Sequence, residues 1–119
     1  MKPLVHAKNS AKKYGGVVDD YLQIHSWFDQ TKAHVPDMRH RLFLHNSFGI
    51  FLCEQQFGVY ITNSDGNKVD VRSLGEDHVL EDLGFIPTLD ECCKLVINGD
   101  WLFGSKRSDI KKIVISKVD

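Results

Sequence analysis

Hydrophobic and polar positions change period about halfway along the chain. Up to Gly58 the apolar residues recur at intervals of three and four, whereas "VYITNSDGNKVDVR" alternates with a period of two. The first half predicts three helices. Pro3 suits the first turn of a helix that runs to about Tyr14 and stops at Gly15-Gly16. Asp19 or Asp20 caps a second, expected through about Ala33. Pro36 separates it from a third, expected from about Asp37 to Phe57 and ended by Gly58. In the alternating stretch Val59 and Ile61 answer Val69 and Val71 across Asp65-Gly66, which is a β-hairpin pattern. "GEDHVLEDLG" predicts a short helix closed by Gly84. "PTLDECCKLV" predicts another, with Thr88 as N-cap and Glu91 completing a capping box. "DWLFGSKR" and "KKIVISKVD" read as short strands able to extend the hairpin. The expected class is α+β: N-terminal helices packed on a β-hairpin or small antiparallel sheet, with short C-terminal helices.

With 119 residues, 42% of them apolar, the chain fits a single domain with a modest core, residues 1–58 helical and 59–119 holding the hairpin, short helices and tail. Fifteen basic and sixteen acidic side chains give a net charge of −1. A nucleic-acid partner is not expected, because the only basic run beyond the first helix, Lys106, Arg107, Lys111 and Lys112, is broken by Ser108 and Asp109. No apolar run approaches the ~20 residues that cross a bilayer. The start, "MKPLVHAKNSAKKYGG", has no apolar core of a signal peptide. Cys53, Cys92 and Cys93 are odd in number, include an adjacent pair and lack Cys-x-x-Cys spacing. A reduced, cytoplasmic protein is expected.

Polar residues fall where a helical wheel wants apolar ones. On the third helix Met38, Leu42, Leu44, Phe48, Phe51 and Leu52 share a broad arc, and the row Asp37, Arg41, His45 runs through its middle. Cys53 falls on the opposite side. Such a row is costly unless its members are paired. On the second helix His25, Asp29 and Lys32 lie on or beside the face of Tyr21, Ile24 and Phe28. On the first, His6 and Ser10 flank Leu4, Ala7, Ala11 and Tyr14. Three neighbouring helices would bring His6, His25, Asp29, Asp37, Arg41 and His45 together. Each pair also has an ordinary explanation, since Asp37–Arg41 and His25–Asp29 are i, i+4 partners on a helix.

As a site, the set suits an anion. Guanidinium grips phosphate or carboxylate through two parallel hydrogen bonds, and imidazole can donate or move a proton. The candidate ligand-binding residues are therefore Arg41, Asp37, His6, His40 and Lys32. The candidate catalytic residues are His45 and His25 as acid-base groups, with Asp29 holding them. A metal is less favoured and no metal ligands are assigned. His25, Asp29 and His45 form a mixed donor set, but Arg41 one turn from His45 puts a fixed cation beside it. Asp37-x-x-His40 is a single copy of a spacing that di-metal bundles use twice. No cofactor is indicated either, because Gly15-Gly16 is not followed by the Gly-Lys-Ser/Thr of a phosphate loop. His78 and Asp82, i, i+4 partners on the fourth helix, read as part of a well-capped helix or as a lip over the pocket.

"HAKNSAKKYGG", "DYLQIHSWFD", "PDMRHRLFLHNSFGIF", "FGVYITNSDGNKVDVR" and "GEDHVLEDLGFIPT" resemble an uncharacterised family of small bacterial and phage proteins, a domain of unknown function. Its marks are His-Ala-Lys, Asp-x-Arg-His-Arg and Gly-Glu-x-His-Val-x-Glu-Asp-x-Gly-x-Ile-Pro, and the similarity runs from about Pro3 to Thr88. The family pattern includes His6, His25, Trp27, Phe28, Asp29, Asp37, His40, Arg41, His45, Gly49 and His78, but lends no activity. Members carry a second His and then a Glu at Asn46 and Phe48, so chemistry that used those two is absent here. The resemblance implies a phage or prophage accessory protein in the host cytoplasm. Two functions follow. One is a His/Arg/Asp pocket for a small anionic ligand, with hydrolytic activity. The other is binding of a host or phage protein, such as a defence component, with the polar row serving only the core.

Overall fold

The computed structural model describes residues 1–95 together with 99, 102 and 104. Helix α1 (Pro3–Tyr14) packs along α2 (Asp19–Phe28), and Gly15-Gly16 makes the corner between them with φ of 86° and 73°. The buried face of α1 is His6, Ala7 and Ser10, while Leu4 is exposed, so the polar residues expected to flank that face are its centre. Asp20 fixes the corner to the hairpin by accepting from Val17 N, Ser64 N and the Ser64 hydroxyl. Helix α2 stops at Phe28 rather than Ala33, and Gln30–Ala33 tightens into a 3₁₀ turn.

The long third helix does not form. Its place is taken by a 3₁₀ turn (Met38–His40), a single turn α3 (Arg41–Leu44) and a separate α4 (Ser47–Phe57). Asn46 makes the break by serving both ends. Its amide nitrogen donates to the Leu42 and Phe43 carbonyls at 3.1 and 3.3 Å, and its Oδ1 caps α4 by accepting from Gly49 N at 2.8 Å. The two segments cross so closely that a Cβ on Gly49 would lie 1.7 Å from the Leu44 carbonyl oxygen. The break resets the helical phase. Phe48 and Phe51 are exposed and Cys53 is fully buried, opposite to what one continuous wheel predicts.

Strands β1 (Tyr60–Thr62) and β2 (Lys68–Asp70) pair antiparallel with Ile61 opposite Val69. Val71, expected in the hairpin, instead begins α5 (Val71–Leu83), its N–H donating to Val59 O at 3.0 Å. Gly84 closes α5 in the left-handed conformation, and α6 (Leu89–Lys94) opens with the Thr88/Glu91 capping box. The strands expected in 100–107 and 111–119 lie almost wholly outside the described residues. No helix among the described residues is long and apolar enough to cross a membrane. The apolar core joins Ala7, Tyr21, Ile24, Phe28, Ile50, Cys53, Val69, Leu74 and Val79. Beside it lies a second buried cluster, which is polar.

Candidate functional site

His6, His25, His45 and His78 have no solvent exposure, although they come from α1, α2, the break after α3, and α5. Asp29 follows α2 directly, and Asp82 lies one turn beyond His78 on α5. The break positions His45: with φ −81° and ψ 60° it leaves the helix, and its ring turns into the core.

Four donor atoms converge. His45 Nε2 lies 3.1 Å from His78 Nε2, 2.9 Å from Asp82 Oδ2 and 3.4 Å from Asp29 Oδ1. His78 Nε2 lies 3.4 Å from Asp82 Oδ2 and 3.6 Å from Asp29 Oδ1. Tetrahedral ligands on metal bonds of ~2.0–2.1 Å sit about 3.3 Å apart. The five separations straddle that spacing. Asp29 Oδ2 is also buried without a hydrogen-bond partner among the described residues. A buried carboxylate oxygen with nothing to accept from is costly.

The surrounding groups bear on which ring nitrogens are free. A carbonyl can only accept, so His40 Nδ1 donates to Asp37 O at 2.8 Å and turns its Nε2 toward Asp29 Oδ1 at 3.4 Å. His78 Nδ1 meets His25 Nδ1 at 2.9 Å, and His25 Nε2 meets the Ser10 hydroxyl at 2.7 Å. If each ring donates outward along this chain, His78 Nε2 keeps its lone pair for the quartet, which is how outer groups orient metal-ligating histidines. His6 Nδ1 donates to Glu81 Oε1 at 2.7 Å, and its Nε2 faces Asp82 Oδ1 at 3.2 Å without the alignment of a hydrogen bond. The nitrogens of His6, His25 and His78 are also close together, but these rings are stacked within 18–28° of parallel. Their nitrogens are already engaged, His25 Nδ1 with His78 Nδ1 and His6 Nδ1 with Glu81, so this trio is a supporting layer.

Electrostatics agree with a donor set. Burial, then the like charges of the neighbouring histidines, push His25 down to about 3. Burial pushes His78 down to about 4 against the pull of Asp29. Both are neutral at pH 7, the form in which imidazole binds a metal. Burial alone would raise Asp82, but His45, His6 and the Met1 ammonium outweigh it and hold the carboxyl far below its usual range. Asp29 is likewise lowered, its burial outweighed chiefly by His78. His6 moves up, because the Asp82 and Glu81 carboxylates overcome its burial.

Of the residues predicted from sequence, His6, His25, Asp29, His40, Arg41 and His45 are brought together. Asp37 and Lys32 are not. Asp37 is exposed, caps the 3₁₀ turn through Arg39 N, and pairs with the Arg39 guanidinium instead of Arg41. Lys32 is exposed on the turn after α2, and its side chain acts on Asp29 through its charge alone. Arg41 Nη2 lies 3.6 Å from Asp82 Oδ1, whereas Oδ2 faces His45 and His78. The carboxylate therefore stands between the cation and the donor atoms, which removes the objection to a metal drawn from the one-turn spacing. His78 and Asp82 are central rather than a lip, and Glu81 supports His6. A signal for them exists: His78 and Asp82 repeat the His-x-x-x-Asp spacing of His25 and Asp29. Asn46 is used on the backbone of the break and Phe48 is exposed, so neither position is a member of the quartet.

A family model described as a domain of unknown function, DUF6915, matches residues 1–102 and so spans every residue of this cluster. No curated protein and no solved structure matches the chain. The chain belongs to the DUF6915 family of domains of unknown function.

Proposed function

We propose that this protein binds one divalent transition-metal ion through His45, His78, Asp29 and Asp82, and that the centre acts on a small anionic ligand held by Arg41. The observation that carries the reading is the quartet itself. Four donor atoms from three segments of the chain lie within 4.8 Å of one another in a buried setting, five of their six separations being 2.9–3.6 Å, beside a partnerless carboxylate oxygen. Mixed imidazole and carboxylate donors suit zinc, iron or manganese. Such an ion would serve as a Lewis acid toward a phosphate- or carboxylate-bearing ligand, the basis of a hydrolytic role.

The test starts from protein stripped with a chelator. Titration with Zn²⁺, Mn²⁺ or anaerobic Fe²⁺ in a calorimeter should show one ion per chain. At a hundredfold excess over Kd the fold should gain about 2.7 kcal/mol. His45→Gln and Asp82→Asn should abolish the heat of binding while circular dichroism still reports a folded helical protein. A stripped protein that takes up none of these ions and gains no stability would refute the reading.

A second reading is favoured by exposed aromatic surface. Phe48 and Phe51 stack on the outer side of α4 with ring centroids 6.4 Å apart, and Val59 and Tyr60 are exposed nearby in sequence. In this reading the chain is a phage or prophage accessory protein in the host cytoplasm that binds a host or phage protein, and the polar cluster serves only the core. Phe48→Ser with Phe51→Ser would then abolish partner binding, and metal removal would leave it unchanged.

A further inference from the structure

A groove of about 680 Å³ opens beside the buried cluster, within the ~300–1,000 Å³ range of small-molecule sites. Its apolar walls include Met38 and Phe85, which are exposed, with Leu83 half-buried and Pro87 buried. Its lining also includes His45, which is fully buried, and Arg41, which is 23% exposed. The groove thus combines apolar side chains with the Arg41 guanidinium and with His45, the one member of the quartet that lines it.

The charges along it are not equivalent. Arg39 is tied to both oxygens of Asp37, and Glu91 is turned back to accept from Thr88 N in the capping box. Arg41 makes no side-chain hydrogen bond among the described residues, its nearest carboxylate oxygen being 3.6 Å away on Asp82. A guanidinium offers five donors in a planar fork. Here that fork stands half-buried, short of acceptors, where an apolar channel meets the cluster.

We propose that the groove takes an amphipathic anion, a phosphate or carboxylate head on an apolar body, with the head on Arg41 beside His45 and the body along Met38, Leu83, Phe85 and Pro87. This rests on the metal-centred reading for its chemistry, but not for its binding. Carboxylate and phosphate share the acceptor geometry that Arg41 recognises, and the apolar walls select against small hydrated anions.

The test uses n-octyl phosphate and octanoate as probes, with n-octanol as the uncharged control, on stripped and metal-loaded full-length protein. Saturable binding of at least one anion is expected, with amide shifts concentrated at Arg41, Leu83 and Phe85. Octanol should bind at least about tenfold more weakly, a gap of about 1.4 kcal/mol. Arg41→Gln should lower anion affinity by a similar factor with metal content unchanged. Met38→Glu, at an exposed wall position that the fold does not need, should weaken it by repulsion and decides the matter if Arg41→Gln fails to fold. The proposal is overturned if neither anion binds saturably, if octanol binds as well, or if both variants bind as wild type does. Metal retained with no anion bound sinks the groove alone. Arg41-dependent anion binding by protein that takes no metal sinks the metal reading alone.

Discussion

Asp82 shows how much one residue carries. Its Oδ2 faces His45 and His78, and its Oδ1 faces His6, Arg41 and the Met1 ammonium. Asp82→Asn keeps the size but removes the charge that these groups share. It should abolish metal uptake and cost the metal-free fold about 1–3 kcal/mol, the penalty of leaving buried partners unsatisfied, as read by urea denaturation. His25 acts at one remove, through its 2.9 Å contact with His78 Nδ1. Its replacement by Phe should weaken metal binding by about 10–100-fold without abolishing it, the usual scale for an outer partner. A loss as complete as that of Asp82→Asn would instead make His25 a ligand. His6, His25 and Asp29 were legible because helical spacing set them on or beside apolar faces, whereas His45 was singled out on a continuous helix that does not form. Asp82 was not, although it repeats the His25–Asp29 spacing. Only tertiary packing makes this buried stretch of α5 a wall of the cluster.

Among the elements, the break between α3 and α4 does most to shape the site. A continuous helix would align Asp37, Arg41 and His45 in one row. The structure instead releases His45 inward, keeps Arg41 at the rim and leaves Asp37 in solvent. Asn46→Ala removes both the cap of α4 and the donor to the end of α3. A loss of about 1–2 kcal/mol is expected from the cap alone, with a lower Tm as the check. Gly49→Ala should cost more than the ~1–3 kcal/mol typical of overpacking, because the new Cβ meets the rigid Leu44 carbonyl rather than a movable side chain. A Gly49→Ala protein with the wild-type Tm would show that the two segments do not cross this closely. The first two helices, the hairpin and the two capped helices after it were legible, since glycine stops, alternation and a capping box are local signals. The break was hidden by an apolar pattern that runs through it, with Asn46 and Gly49 as the only local marks.

Among the described residues, four histidines with no solvent exposure and two carboxylates form a polar cluster beside a small apolar core, next to a groove that His45 lines. So many ionisable groups are held inside at a desolvation cost that a bound cation would offset. The α+β arrangement was legible from the change of period; the convergence of six side chains from four segments was not, because packing angles leave no trace in spacing. The most direct measurement is anomalous diffraction from crystals of the metal-loaded protein, collected above and below the absorption edge of the added ion. The account predicts one anomalous peak per chain, ~2.0–2.2 Å from His45 Nε2, His78 Nε2 and carboxylate oxygens of Asp29 and Asp82. No peak at that point, or a peak bound only by surface residues, would contradict it.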